Sequence, residues 1–250
     1  MEIDIETKRK LRDMGASELL AAIEGQDDGA CIGMTFAERL QAATDEAHSA
    51  FVTAKVENLV KRANLRYPDA DVRKLDFSEE RKLDRVKIAE LAACGFAERG
   101  SNVVIEGFTG SGKSYMSYGI AKEACRRRMR AHYVRVPDLE ELWRQSRDRS
   151  GGESKFVRKY GNFGVLVLDE WLLDKPDVEF RSMLLELMER RYDTNSTIFC
   201  TQFEKKDWHS RLGGGVHADA IMDRIVHNAV WLSAGEVNMR EKMGAAERRA

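Results

Sequence analysis

Cysteine is scarce and scattered in this 250-residue chain. Cys31, Cys94, Cys125 and Cys200 stand far apart with no C-x-x-C pair, which argues against a thiol-based zinc site or a disulfide framework and reads as reduced, mostly buried thiols. Net charge is nearly absent too, at -1, so no uniformly basic coat exists and any contact with nucleic acid must come from local clusters. No apolar leader opens the sequence, and no apolar run approaches the length of a bilayer span. A cytoplasmic chain with no membrane partner is the expectation. What is present is 43% hydrophobic content, enough for one α/β domain of ordinary size and a smaller companion.

Against this background the stretch Gly107 to Ser114 reads GFTGSGKS and fills every fixed position of G-x-x-x-x-G-K-[ST]. Backbone N–H groups must converge on phosphate oxygens there, and side chains at Gly107, Gly110 or Gly112 would obstruct that approach. Phe108, Thr109 and Ser111 complete the loop, and Tyr115 follows it as a further nucleotide contact. Lys113 is expected to reach the β and γ phosphates and Ser114 to offer its hydroxyl to Mg²⁺. The helix that begins here aims the positive end of its dipole at the anion. Asn102 to Glu106 (NVVIE) reads as a short buried strand before the loop, and Tyr115, Ile120, Ala121 and Ala124 carry helical spacing after it.

From about Glu6 to Arg66 apolar residues recur at helical intervals: Leu11, Met14, Leu19 and Ile23, then Phe36, Leu40, Ala43, Ala47 and Phe51. Two or three helices are expected, with QDDG (Gln26 to Gly29) parting the first from the second and Thr35 or a neighbour capping the run FAERL. Basic residues here, among them Lys55, Lys61 and Arg62, either line a DNA backbone or form a solvated helix face. Tyr67-Pro68-Asp69 marks a turn and linker, so the chain divides into a helical domain over 1–70 and a nucleotide domain over 71–250. Beyond the turn, strands near Val103 to Glu106, His132 to Val136, Val165 to Leu168, Thr197 to Thr201 and Val230 to Leu232 alternate with helices. This is an α/β pattern with a five-stranded, mainly parallel sheet.

Val165 to Leu168 is followed by Asp169 and Glu170, the way a buried strand delivers carboxylates to its C-terminal end. The pair lies about 55 residues after the phosphate loop with one strand between, an offset short α/β connections produce. Asp169 would share Mg²⁺ with Ser114, and Glu170 would polarise the water that attacks the γ phosphate. A small-molecule kinase needs no such glutamate, so the pair favours hydrolysis of ATP to ADP and phosphate. Gln202, at the end of the next strand, would set its amide between these acids and the γ phosphate, an expectation drawn from its order along the chain. His209, His217 and His227 lack metal-ligand spacing and are expected to serve hydrogen bonding or surface contacts.

GFTGSGKS, LVLDEW, RRYDTNSTIFCTQ, KKDWH and ADAIMDRIVHNAV together resemble the IstB/DnaC-like AAA+ ATPases over nearly the whole chain. The N-terminal segments KRKLRDMGASELL and MTFAERLQAATDEAH are similar to those of the IstB branch, the helper ATPases of two-gene insertion sequences. The resemblance implies an AAA+ P-loop core behind a small helical domain. It makes Arg224 an arginine finger toward a neighbouring copy's ATP, Gln202 the sensor-one residue and Arg240 the sensor-two residue, although NMREK departs from the usual S-[YL]-R around the last. It further implies that the insertion from Pro137 to Asn162 lines a nucleic-acid channel, with Arg144, Arg147, Arg149, Lys155, Arg158 and Lys159 on phosphates. Trp143, Phe156 and Tyr160 are expected to pack rather than stack on bases. The partners implied are duplex DNA, a transposase encoded by the same element, and further copies of the chain joined through ATP. The alternative function within the same core is a DnaC-like helicase loader, an ATP-switched protein adaptor.

Overall fold

The computed structural model describes residues 3–242, so the outermost ends of both expected domain ranges lie outside the described residues. Contacts gather into two compact units, Met1–Asn58 and Leu59–Ala250. The first unit holds α1 (Ile5–Asp13), α2 (Ser17–Glu24) and most of α3 (Phe36–Arg62). Asp4 caps α1 by accepting the Thr7 N–H at 2.9 Å. Thr35 and Glu38 form a reciprocal capping box at α3: Thr35 Oγ1 accepts the Glu38 N–H at 3.3 Å and Glu38 Oε2 accepts the Thr35 N–H at 2.7 Å.

Two expectations for this unit change. The QDDG break lies after the second helix rather than the first, because Gly15, at φ +72°, ends α1 earlier. The apolar periodicity also overstates the core. Ala22, Ala43 and Ala47 are its buried centre with Leu19 and Ile23 against them, whereas Met14 (74%) and Phe36 (75%) stand largely exposed.

The second unit is built on β1 (Asn102–Glu106), β2 (Ala131–Arg135), β3 (Val165–Asp169), β4 (Ser196–Thr201) and β5 (Ala229–Ser233). All pair in parallel in the order β2-β3-β4-β1-β5, the five strands the apolar runs mark. Parallel strands read as unbroken apolar runs because both faces are covered. Val103, Ile105, Val165, Val167, Ile198 and Cys200 point to one face, where α4 (Arg85–Ala92), α5 (Gly95–Glu98) and α6 (Lys113–Arg126) pack. Val104, Leu166, Leu168 and Phe199 point to the other. That face carries α7 (Val136–Arg147), α8 (Gly152–Gly161), α9 (Val178–Arg191), α10 (Lys205–Arg211) and α11 (Gly215–Val226). Trp143, Phe156 and Tyr160 are buried in this second layer. The outer edge of β2 is closed by the Tyr133 N–H donating to the Ala63 carbonyl at 2.8 Å. Cys94, Cys125 and Cys200 are buried free thiols, and Cys31 is half-buried.

Candidate functional site

The phosphate loop joins β1 to α6 at the C-terminal end of the sheet. Gly110 and Gly112 both hold φ +93°, a region closed to most side-chain-bearing residues. Gly107 is glycine for a different reason than the one read from the sequence. A Cβ there would lie 2.7 Å from Ser111 Oγ and 2.9 Å from Ala234 Cβ, so the protein itself, rather than a phosphate, occupies that space. Lys113 Nζ donates to the carbonyls of Gly107 (2.8 Å) and Phe108 (2.9 Å). Burial lowers its pKa foremost, and the nearby Arg240 charge acts in the same direction. A desolvated ammonium folded onto its own loop fits the cradle of an anion.

Two oxygens stand ready for a cation. Ser114 Oγ donates to Asp169 Oδ2 at 2.6 Å, and the Tyr133 hydroxyl donates to the same oxygen at 2.8 Å. A hydroxyl and a carboxylate this close suit an oxygen-seeking ion such as Mg²⁺. Among the described residues no group of three or more His, Cys, Asp and Glu could hold a metal, so a cation here needs phosphate and water oxygens to complete its shell. The other Asp169 oxygen accepts the Glu170 N–H at 2.9 Å.

Glu170 sits at φ +58°, which turns its side chain off the strand end, and its Oε2 accepts from Arg135 Nη2 at 2.7 Å. Gln202 Oε1 accepts from Thr109 Oγ1 at 3.1 Å, tying the end of β4 to the loop. The segment after β5 crosses the same place: the Met239 N–H donates to the Gly110 carbonyl at 2.9 Å. The residues read from the loop, together with Asp169, Glu170, Gln202 and Arg240, are thus gathered in one place. Phe108 and Thr109 are exposed, Ser111 is buried, and Tyr115 is half-buried against the core.

Arg224 lies elsewhere. Its backbone carbonyl accepts from Asn102 Nδ2 at 3.2 Å, and Asn102 opens β1 whereas the phosphate loop follows the strand's last residue. The two are separated by the length of the strand, roughly 15 Å at ~3.3 Å per residue. Its half-buried guanidinium pairs with Glu189 on α9 and donates to the Ala220 carbonyl at 2.9 Å. Neither Asp219 nor Asp223 takes it; these carboxylates pair with His209 (3.2 Å) and His227 (3.4 Å) respectively.

The basic residues of α7, α8 and the turn between them are all exposed. Arg144 pairs with Glu140 (2.5 Å) and Asp177 (2.9 Å), Arg147 pairs with Glu153 and Glu179, and Lys159 lies over the Tyr160 ring. Arg149, Lys155 and Arg158 make no ion pair among the described residues. Lys55 lies over Phe51, and it, Lys61 and Arg62 face solvent on α3. Exposed pairs of this kind hold their side chains only weakly.

Arg135 and Tyr133 escaped the sequence reading. Both lie on β2, which carries no motif. The signal is in the structure alone: once β2 lies beside β3, Arg135 pairs in register with Asp169, which brings its charge to the acidic strand end.

A family model described as IstB-like ATP binding protein matches residues 9–246. The chain belongs to this family. The insertion sequence ATP-binding protein y4pL of Sinorhizobium fredii is 32% identical, across 89% of this chain and 91% of its own length. The IS21 ATP-binding protein of Pseudomonas aeruginosa is 27% identical, across 71% of this chain and 66% of its own. In fold the chain is similar to the DnaC helicase loader, with a TM-score of 0.55 and 20% identity over 67% of this chain and 98% of that one. It is also similar to the replication initiator DnaA bound to AMPPCP and single-stranded DNA, with a TM-score of 0.57 and 16% identity over 74% of this chain and 56% of that one. The core is therefore an AAA+ P-loop ATPase fold, and family membership makes ATP the nucleotide for this loop. No described helix is long and apolar enough to cross a membrane.

Proposed function

We propose that this IstB-like protein is an ATP-dependent, DNA-binding helper ATPase of transposition, active in the cytoplasm. ATP joins copies of the chain into a homo-oligomer on duplex DNA, and that assembly recruits or activates the transposase encoded by the same element. Relatives named for insertion sequences support the setting. The observation that carries the mechanism is the separation of Arg224 from its own phosphate loop by the full length of β1. A guanidinium placed away from its own pocket is positioned for another copy's, once it leaves Glu189.

In this reading the loop N–H groups and Lys113 hold the phosphates, and Ser114 and Asp169 hold Mg²⁺. The ion, when bound, neutralises charge on the β and γ phosphate oxygens. Glu170 takes the proton of the attacking water, which requires its carboxylate to leave Arg135. Gln202 and Arg240 stand beside the γ phosphate. Arg224 of one copy stabilises charge in the next copy's pocket, which converts nucleotide occupancy into assembly. The exposed cations of α7 and α8, with Lys55, Lys61 and Arg62, supply phosphate contacts whose strength falls with salt.

Sizing the protein with ATP, duplex DNA, both and neither tests the reading. Large species that need both ligands support it, and monomers in every condition overturn it. Preference for single strands and binding to a hexameric helicase would instead favour a loader.

A further inference from the structure

Arg81 is a buried charge, 2% exposed, in the turn that precedes α4, well before the phosphate loop in sequence. Its Nη1 donates to the Asp76 carbonyl at 3.4 Å and its Nη2 to the Ser111 carbonyl at 3.0 Å, while its Nε has no partner among the described residues. Among the described residues no carboxylate accepts a hydrogen bond from it, although the charge of Asp76 acts on it from nearby. The Asp76 side chain is engaged by the Ser78 N–H (2.9 Å) and by Lys242 Nζ (2.7 Å). Burial lowers the Arg81 pKa accordingly. The Gly235 backbone walls it in, since a Cβ on that glycine would lie 2.2 Å from the Arg81 carbonyl oxygen and 2.8 Å from Cγ. A buried cation hydrogen-bonded among the described residues to carbonyls alone, with the Asp76 charge only partly offsetting its burial, is costly to desolvate, and a methionine would fill the space without that cost. Packing alone does not explain an arginine here.

What the guanidinium touches is a peptide bond of the phosphate loop. The peptide joining Ser111 to Gly112 is planar and trans, so its carbonyl and its N–H point in opposite directions. A carbonyl held on Arg81 therefore turns the Gly112 N–H away from Arg81. A cation on the carbonyl oxygen also polarises the peptide and strengthens that N–H as a donor. Gly112, at φ +93°, permits this orientation, and a Cβ on it would meet Arg81 Nη2 at 2.9 Å.

We propose that Arg81 is a positioning residue of the nucleotide site, which grips the Ser111 carbonyl from behind the loop and so presents the Gly112 N–H to the nucleotide's phosphates. The proposal rests on the loop being an ATP site. It adds a charge contributed from outside the loop motif, in the segment leading into α4.

The test is to titrate ADP, with adenosine as a competitor, into the full-length wild type, Arg81→Met and Arg81→Lys, and to follow thermal melting of each. Arg81→Met should weaken ADP roughly 10- to 100-fold, the weight of one charge-assisted hydrogen bond. Adenosine, which has no phosphate, should compete as it does against the wild type, and the melting temperature should not fall. Arg81→Lys should lie between, because an ammonium cannot hold two carbonyls as a planar fork does. If Arg81→Met does not fold, Arg81→Lys decides alone. ADP affinity within twofold of the wild type in either folded variant overturns the role of Arg81, as does an equal loss of ADP and adenosine. A wild type that binds no ADP overturns the ATP-site reading itself.

Discussion

Arg135 Nη2 donates to Glu170 Oε2 at 2.7 Å, so the carboxylate read as the water-activating base is held by a cation from the neighbouring strand. Both side chains are partly exposed, at 45% and 32%, and such a pair is worth about 0–1 kcal/mol. Removing the arginine should therefore leave the fold intact and release the carboxylate. Arg135→Ala should raise phosphate release in the absence of DNA by about fivefold, the factor corresponding to ~1 kcal/mol. A fall in turnover would show that Arg135 assists the reaction rather than restraining Glu170.

The Tyr133 hydroxyl donates to Asp169 Oδ2 at 2.8 Å, the oxygen that Ser114 also contacts. Partners behind a metal ligand typically alter affinity 10- to 100-fold. Tyr133→Phe keeps the ring that packs on Tyr118 at 4.7 Å and loses the hydroxyl, with its donation to Asp169 and its contact to the Tyr118 hydroxyl. It should raise the Mg²⁺ concentration needed for half-maximal ATP hydrolysis by about tenfold while leaving the melting temperature within a few degrees.

Arg224→Ala should lower turnover in the assembled protein by roughly 10³-fold or more, the usual weight of a finger supplied by a neighbour. Mixing it with Lys113→Ala should restore part of the activity, because an intact pocket then meets an intact finger. Glu189→Gln removes the carboxylate that pairs with Arg224 and should favour assembly at lower ATP. Full turnover by Arg224→Ala would leave this arginine a purely intramolecular ion-pair residue.

His132 should make stability pH-dependent. Its ring stacks on Phe163 at 4.5 Å, and burial, with Lys159 adding to it, holds the imidazole pKa below its ordinary value despite the Arg62 backbone. The folded state thus favours the neutral ring. Its contribution is fully present above the unfolded pKa of about 6.5 and is lost as pH falls below that value, since only the unfolded chain then gains a proton freely. The melting temperature should decline from pH 7 toward pH 5, and His132→Phe should flatten that decline.

Much of the nucleotide half was legible because its signals are local. Five buried parallel strands cannot avoid being apolar runs, and a loop that must wrap phosphates needs glycines at fixed spacing, so β1 to β5 and Gly107 to Ser114 were readable in place. Arg81 and Arg135 were not readable, because each acts through a residue about 30 positions away in sequence, Ser111 at |i−j| 30 and Glu170 at |i−j| 35. Strand order and the turn at Glu170 bring such pairs together, and neither leaves a periodic trace. In the first unit the failure was of another kind. Helical spacing of Phe36, Leu40 and Phe51 resembles a buried stripe, yet the cluster closes on Ala22, Ala43 and Ala47, since helices meeting at small side chains can approach too closely to leave room for larger ones.

Because every strand of the sheet runs the same way, the loop and Arg224 belong to its two different ends, and any contact that joins them between copies brings opposite ends of two sheets together. Two copies lying antiparallel about a twofold axis satisfy it by serving each other, whereas successive copies satisfy it by repeating it head-to-tail. An open row built this way has a direction, leaving an unserved pocket on its first member and an idle guanidinium on its last, so growth and shedding at the two termini need not obey the same rules.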